Sequence, residues 1–467
     1  MRKRVLLASS WTNSPNVLGY YLSPPMGLYR IQHWLADKHD VDILDPNLED
    51  PVGFLKDYGR CDVIGFSPTK DNLHNDIALM RYARKLYPDT KIVLGGVEAT
   101  CNYQRLLDMN IADCVIMGEG EKAMEYYLEG RDGLRLSPSS IAKSYSFSTV
   151  LTAEEIARAT SVDFSRMPIK EYWQRNTEVT AGDELSTNCV NLYITNYCPQ
   201  GCKFCSTTRF IRQACPEAAK VVTLPPRDLV KILKKVMTEV PETKTIYFHD
   251  DNACQNREAT KEWCGLAIEE GIDVTYVASS RIDHYDEELL AIMKRAGFRK
   301  LSCGIEAYSD SLLKKLRKGQ NTRTIDHFID IAGAADMPLH LNVILCQPEA
   351  EIDDVKRTAE FALKLLADKR NTVNAEPFVK AYAGSWYFDN WDLIEYTYNT
   401  IPSIDGTRAG EIRIPVRFFP RDPAVRRLLE QIDEAYRTRE FFVNMRKKSF
   451  LQQQLTEELC KLVLELT

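Results

Sequence analysis

The chain has 467 residues, a formal net charge of -6, 44% hydrophobic and 27% charged residues. That is the balance of an ordinary folded globular protein, and at roughly 100–200 residues per domain it allows two or three domains. It offers no concentrated basic patch of the kind a nucleic-acid binder carries, since the one basic cluster, Arg446–Lys448, is short and reads as a solvated helix face.

No apolar run approaches the roughly 18 residues needed to span a bilayer, so no membrane partner is expected. The opening Met1–Ala8 imitates a signal peptide, but the apolar stretch stops at Ser9 and Ser10, too early for one, and reads as a buried strand. A cytoplasmic location is expected. The 13 cysteines are an odd number in a long chain, which argues against a disulfide framework and for clustered cysteines as metal ligands. Isolated ones such as Cys61, Cys114 and Cys303 sit in apolar runs and read as small core residues.

Residues 1–130 alternate short apolar strands with helical patterns. The strands are predicted at Val5–Ala8, Val41–Leu44, Val63–Phe66, Ile92–Leu94 and Cys114–Met117, with the clearest helices at Met26–Lys38 and Asn75–Leu86. Such alternation predicts a doubly wound parallel sheet, whose ligands bind outside the carboxyl ends of the strands. Those ends are small or turn-forming: Ser9-Ser10 and the loop to Pro24-Pro25-Met26-Gly27, then Gly65-Phe66-Ser67, Gly95-Gly96 and Gly118-Glu119-Gly120-Glu121. Glycine there lets backbone approach a ligand. Gly-x-Gly-x-x-Gly, the mark of a dinucleotide fold, is absent after the first strand.

Taken together these segments resemble the cobalamin-binding domain that precedes many radical S-adenosylmethionine (SAM) domains. The resemblance implies cobalamin across the carboxyl edge of the sheet, with Ser67, Gly95, Gly96, Gly118, Glu119 and Gly120 as its contacts. The Asp-x-His-x-x-Gly loop that carries an axial histidine in other cobalamin proteins is missing.

The most informative stretch is Tyr193–Cys205, where an apolar strand runs into Cys198-x3-Cys202-x2-Cys205. Three thiolates on one loop ligate three irons of a cubane and leave the fourth open, whereas a zinc site wants a fourth ligand at regular spacing. The spacing matches, cysteine by cysteine, the signature of the radical SAM superfamily. By that resemblance the open iron of a four-iron four-sulfur cluster binds SAM, and Phe204 packs near the adenine.

The segments that follow read as β/α units of a partial (β/α) barrel, with polar residues at each strand end. They resemble the cobalamin-dependent radical SAM pattern in turn. Asp250 and Asp251 would shape the SAM site, Arg281 would lie near the SAM carboxylate or ribose, and Glu306 would match the glutamate of a Gly-x-Glu-Ser motif. One departure is clear: where the family has Gly-x-Pro-Gly-Glu-Thr, this chain has Cys346-Gln347-Pro348-Glu349-Ala350-Glu351, and both glycines are lost.

The expected organisation is an α/β protein: a cobalamin domain over 1–130, a linker over 131–185 marked by Ser137-Pro138-Ser139-Ser140, a radical SAM domain over 186–385 and a mainly helical region over 386–467. The expected activity is cobalamin-dependent methylation of an unreactive carbon of a small molecule, through a 5′-deoxyadenosyl radical and methylcobalamin, with a flavodoxin or ferredoxin as electron donor. Radical cyclisation, ring contraction or oxidation with the same cofactors is the first rival. A methylthiotransferase is the second; it would need three further cluster cysteines, for which Cys61, Cys101 and Cys114 have no matching placement.

Overall fold

Short hydrophobic runs alternate with amphipathic helices through most of the chain, and in the computed structural model these runs assemble into two parallel sheets. The structure describes residues 1–12, 22–131, 145–176, 185, 187–216, 219–445 and 452–467. The Ser137–Ser140 turn signals, the basic cluster Arg446–Lys448 and part of the loop between Ser9 and Pro24 lie outside the described residues.

The first sheet holds β1 (Arg4–Ser9), β2 (Asp40–Leu44), β3 (Val63–Ser67), β4 (Lys91–Leu94), β5 (Cys114–Gly118) and β6 (Tyr145–Thr149). All pair in parallel in the order β2-β1-β3-β4-β5-β6. The order reverses between β1 and β3, which opens a crevice at their carboxyl ends. Both faces are buried: Val5 and Leu7 enter one apolar cluster while Leu6 and Ala8 enter another. The unbroken apolar strands are the consequence.

β6 comes from the stretch read as a linker. Its sequence, Tyr-Ser-Phe-Ser-Thr, lacks the apolar run of a central strand, and it pairs with β5 at the edge of the sheet. The same stretch forms the helix Ala153–Thr160, started by a reciprocal cap between Thr152 and Glu155.

The second sheet holds β7 (Cys189–Leu192), β8 (Thr245–Phe248), β9 (Thr275–Ser280), β10 (Phe298–Glu306), β11 (Leu339–Cys346) and β12 (Thr372–Phe378), paired in parallel in sequence order. Consecutive strands lying side by side are what a partial barrel requires. Here the faces differ. Leu301, Cys303 and Ile305 alternate with half-buried Ser302 and Gly304, as Leu339, Leu341 and Val343 do with half-buried His340 and Asn342. The apolar face packs on helices, and the other face carries polar side chains: Ser279, Ser302, His340 and Thr372 stand in one register row, and Asn342 and Asn374 pair in the next.

Residues 386–467 are helical at Pro423–Thr438 and Gln452–Leu466, and the latter lies against β12 and the helix Ile352–Leu366. They also contain an antiparallel hairpin, β13 (Ile394–Ile401) and β14 (Gly410–Phe418). Its β-branched and aromatic residues, with Ile412 and Ile414 buried at alternate positions, favour strand over helix. The hairpin packs on the helix Leu73–Leu86 beside the first sheet. Among the described residues no disulfide joins any of the 13 cysteines. Among the described residues no helix is long and apolar enough to cross a membrane.

Candidate functional site

The carboxyl ends of the two sheets open into one cavity of about 1150 Å³. That exceeds the roughly 300–1,000 Å³ of an ordinary small-molecule pocket. The first sheet contributes Ser67, Gly95, Gly96, Gly118, Glu119 and Gly120 to its wall; the second contributes Tyr193, Thr195, His249, Asp250, Asp251 and Ser279.

On the first side the wall is built by omission of side chains. Gly96 has φ +87°, and a Cβ there would stand 2.9 Å from Ser67 Oγ. Gly118 has φ +76°. Both conformations favour glycine. Gly95 differs, because its backbone is extended (φ -146°) and a Cβ would meet nothing nearer than Ile116 O at 4.0 Å. Glu119 accepts from Leu151 N at 2.7 Å, so its carboxyl ties the segment after β6 to the end of β5, and burial pushes it up to about 7.

Sequence reading missed several residues on this wall. Half-buried Arg30 pairs with buried Glu121 at 2.9 Å, and the buried Lys70 ammonium stands 4.3 Å from the ring centroid of Tyr382. Lys70 follows β3 and Tyr382 follows β12, so this contact joins the two halves beside the cavity.

On the second side the cysteine loop is pinned at several points. Asp250, buried, accepts from Ile194 N (2.9 Å), Thr195 N (2.6 Å) and Thr195 Oγ1 (2.8 Å). Burial pushes its carboxyl up to about 7, against the pull of those donors. Asp250 thus straps the strand end that leads into the cysteines, whereas its neighbour Asp251 is exposed on the cavity wall.

Cys198 and Cys202 are buried and Cys205 is half-buried, with Cys205 N donating to Cys202 O at 3.2 Å. Burial pushes the Cys198 thiol up to about 11, so cluster binding must release a proton from it. Among the described residues no three His, Cys, Asp or Glu side chains converge as ligands of a single ion do. A cubane does not ask for that, because each thiolate takes a different iron.

Behind the loop lies a charged layer. Glu306 ends β10 with φ +65°, left-handed backbone that costs a non-glycine residue on the order of 1–3 kcal/mol. A β-bulge at Gly304–Glu306 creates the bend, and a Cβ at Gly304 would overlap the Glu306 carboxylate. Three contacts hold the strained residue: Lys318 Nζ at 2.9 Å on its carboxylate, Gln347 Nε2 at 2.8 Å on its carbonyl, and the surrounding apolar core.

Arg281 is also buried, bidentate on Asp283 (2.9 and 2.8 Å) and donating to Lys318 O at 2.8 Å. Its Nη1, both polar atoms of the Gln320 amide and Gln347 Oε1 are buried without hydrogen-bond partners. Each such atom costs about 1–3 kcal/mol if left unmatched. A zwitterionic, ribose-bearing ligand supplies the donors and acceptors they lack, so the residues present fit SAM. The cradle of Gly96 and Gly118 with its large cavity likewise fits cobalamin.

The segment that departs from the family pattern has a role of its own. Glu349, at a position where the pattern has glycine, accepts from Lys203 Nζ (2.6 Å) and Tyr387 OH (2.7 Å). It therefore ties the cysteine loop to the region after β12. Lys318, Gln320 and Gln347 were not singled out in the sequence. The available signal was Lys-Gly-Gln just past the helix Asp310–Lys315, where Gly319 has φ +72°.

Two family profiles match the chain: the Radical SAM superfamily over residues 192–362 and the B12 binding domain over 19–128. The chain thus joins a B12-binding domain to a radical SAM domain, the arrangement of cobalamin-dependent radical SAM enzymes. The enzyme's cofactors follow: a four-iron four-sulfur cluster, SAM and cobalamin.

It is 23% identical over 392 residues, 82% of each chain, to the uncharacterized methyltransferase PH0819 of Pyrococcus horikoshii. It is 26% identical over 319 residues to the anaerobic magnesium-protoporphyrin IX monomethyl ester cyclase of Synechocystis, covering 64% of this chain and 60% of that protein. Its fold matches the radical SAM methyltransferase TsrM of Kitasatospora setae, solved with cobalamin and a [4Fe-4S] cluster, with TM-score 0.66, 13% identity and full coverage of both chains.

Proposed function

We propose that the enzyme methylates an unreactive carbon of a small molecule, with SAM as the source of both the methyl group and the hydrogen-abstracting radical. The observation that carries this reading is the shared cavity. Strand ends of the B12-binding sheet and of the radical SAM sheet line the same space, so a substrate held there would lie between the cobalamin bed and the strand ends that carry Asp250 and Asp251. Holding reactants this way replaces an improbable encounter by an effectively unimolecular step.

In this reading Cys198, Cys202 and Cys205 hold the cluster, and Asp250 fixes the loop they sit on. Phe204, Asp251, Arg281 and Glu306 bind and orient SAM. Ser67, Gly95, Gly96, Gly118, Glu119 and Gly120 form the bed for cobalamin. The cluster with SAM supplies a 5′-deoxyadenosyl radical, and cobalamin carries the methyl group. Leu7, Ile31, Val93, Ile116, Met124 and Phe210 give the shared cavity an apolar share of its wall, which suits an unreactive carbon. A one-electron carrier of the cytoplasm, such as flavodoxin or ferredoxin, would supply the electron.

SAM labelled in its methyl group tests the proposal. Label should reach the product, with deoxyadenosine and S-adenosylhomocysteine formed in about equal amounts. Product that forms with deoxyadenosine but without label would replace methylation by a radical rearrangement or cyclisation, the reading that the resemblance to a cyclase favours.

A further inference from the structure

We propose that Lys318 tunes the iron–sulfur cluster: its buried ammonium eases the one-electron reduction that precedes SAM cleavage. The proposal rests on the cluster assignment and on nothing about the substrate.

A long, flexible cation is normally left in water, yet Lys318 is only 6% exposed. Its ammonium pairs with Glu306 at 2.9 Å, and both side chains of the pair are buried. Burying two charges costs about as much as their attraction returns, so stability alone gives little reason to keep such a pair.

Its position gives a better reason. Lys203 N donates to Leu316 O at 3.1 Å, which fastens the segment carrying Lys318 to the cysteine loop. The ammonium stands 5.9 Å from the ring centroid of Phe204, the residue just before Cys205. The ammonium therefore lies beside the cluster loop. Arg281, which donates to Lys318 O, adds a second cation behind it.

Three thiolates make the site anionic, and an added electron makes it more so. In a poorly solvated site a fixed cation stabilises the reduced form more than the oxidised form. Charge near a cluster is one of the levers that set its potential. Lys318 would act through the cluster and touch no reacting atom, so it is a positioning residue.

The test is a potentiometric titration of the reconstituted full-length enzyme, without SAM, followed by electron paramagnetic resonance. Lys318→Met should shift the reduction equilibrium at least tenfold toward the oxidised cluster, about 59 mV for one electron. Lys318→Arg should restore most of the shift, and Glu306→Gln should move the potential the opposite way. An unchanged potential in Lys318→Met overturns the proposal, as does a variant whose only defect is weaker SAM binding. If Lys318→Met assembles no cluster, Glu306→Gln decides alone: its potential must rise, and no change refutes the idea. Absence of a cluster from the wild-type enzyme would instead refute the cluster assignment, so the two failures are distinguishable.

Discussion

At the carboxyl edge of the first sheet the chain places small residues, Ser67, Gly95, Gly96, Gly118 and Gly120. At the same edge of the second sheet it places Asp250, Arg281 and Glu306, with Lys318 paired behind them. Both edges reach the same cavity, the second through Asp250, with Arg281 and Glu306 buried behind its wall, and they differ in material. A bulky, preformed cofactor needs room and close backbone, which glycines provide. A small cosubstrate bound to an open iron needs its charged groups fixed in direction, which buried ion pairs and a strained backbone provide. The difference also predicts how each edge fails: the first by filling, the second by loss of charge or ligand.

The largest effect is expected at the cysteines. Replacing Cys198, Cys202 and Cys205 together by Ala should remove the iron and sulfide, about four of each per chain, and abolish deoxyadenosine formation while cobalamin is still retained. If the triple variant kept a cubane and cleaved SAM, the assignment of the second edge would collapse.

A smaller and more local effect is expected at the first edge. Gly96→Val places a β-branched residue at φ +87° with its Cβ 2.9 Å from Ser67 Oγ. The backbone alone costs on the order of 1–2 kcal/mol. Cobalamin retention, read by absorbance after anaerobic purification, should fall at least tenfold with iron content unchanged. Gly95→Ala sharpens the comparison, because the protein itself accommodates that methyl; any loss of cobalamin there reports space the cofactor needs.

The smallest effect concerns the clasp at the crevice between β1 and β3. Asp76 is buried and accepts from Ser10 Oγ (2.8 Å), Trp11 N (2.7 Å) and Thr69 N (3.2 Å). Burial pushes its carboxyl up to about 7 from an unfolded value near 3.9. The native state then holds a proton that the unfolded chain has lost. The stabilisation is complete below pH ~4 and disappears as pH rises through about 7. Asp76→Asn cannot ionise, so the apo protein's melting temperature should fall less between pH 5 and 8 in the variant than in the wild type. The difference expected is a few °C, about what 1 kcal/mol produces in a domain of this size. Parallel curves would mean that Asp76 does not titrate in that range.

Five strands of the first sheet were legible because each is a run of apolar residues bounded by turn residues, and burial on both faces demands such runs. β6 was not, since an edge strand with one partner tolerates Ser146 and Ser148. The hairpin β13–β14 was also hidden. Its strands are interspersed with charged residues such as Glu395, Arg413 and Arg417, and Arg417 is satisfied through Glu395 and Asp433 at 2.5–2.9 Å. Glu306 could be read from its motif, but its φ of +65° could not. Lys318 sits twelve positions along the chain from Glu306, and only the crossover after β10 folds it back.

Sequence alone determined the cysteine loop, the two α/β halves and the glycine-rich strand ends, because spacing on one loop and periodicity within one element are local properties. Tertiary structure alone decided that both sheets open into one cavity, that Asp250 straps the cysteine loop, and that a buried cation lies behind it. Those are contacts between elements far apart in the chain. No local pattern specifies them, since they arise only when burial of the apolar faces fixes which strand ends meet.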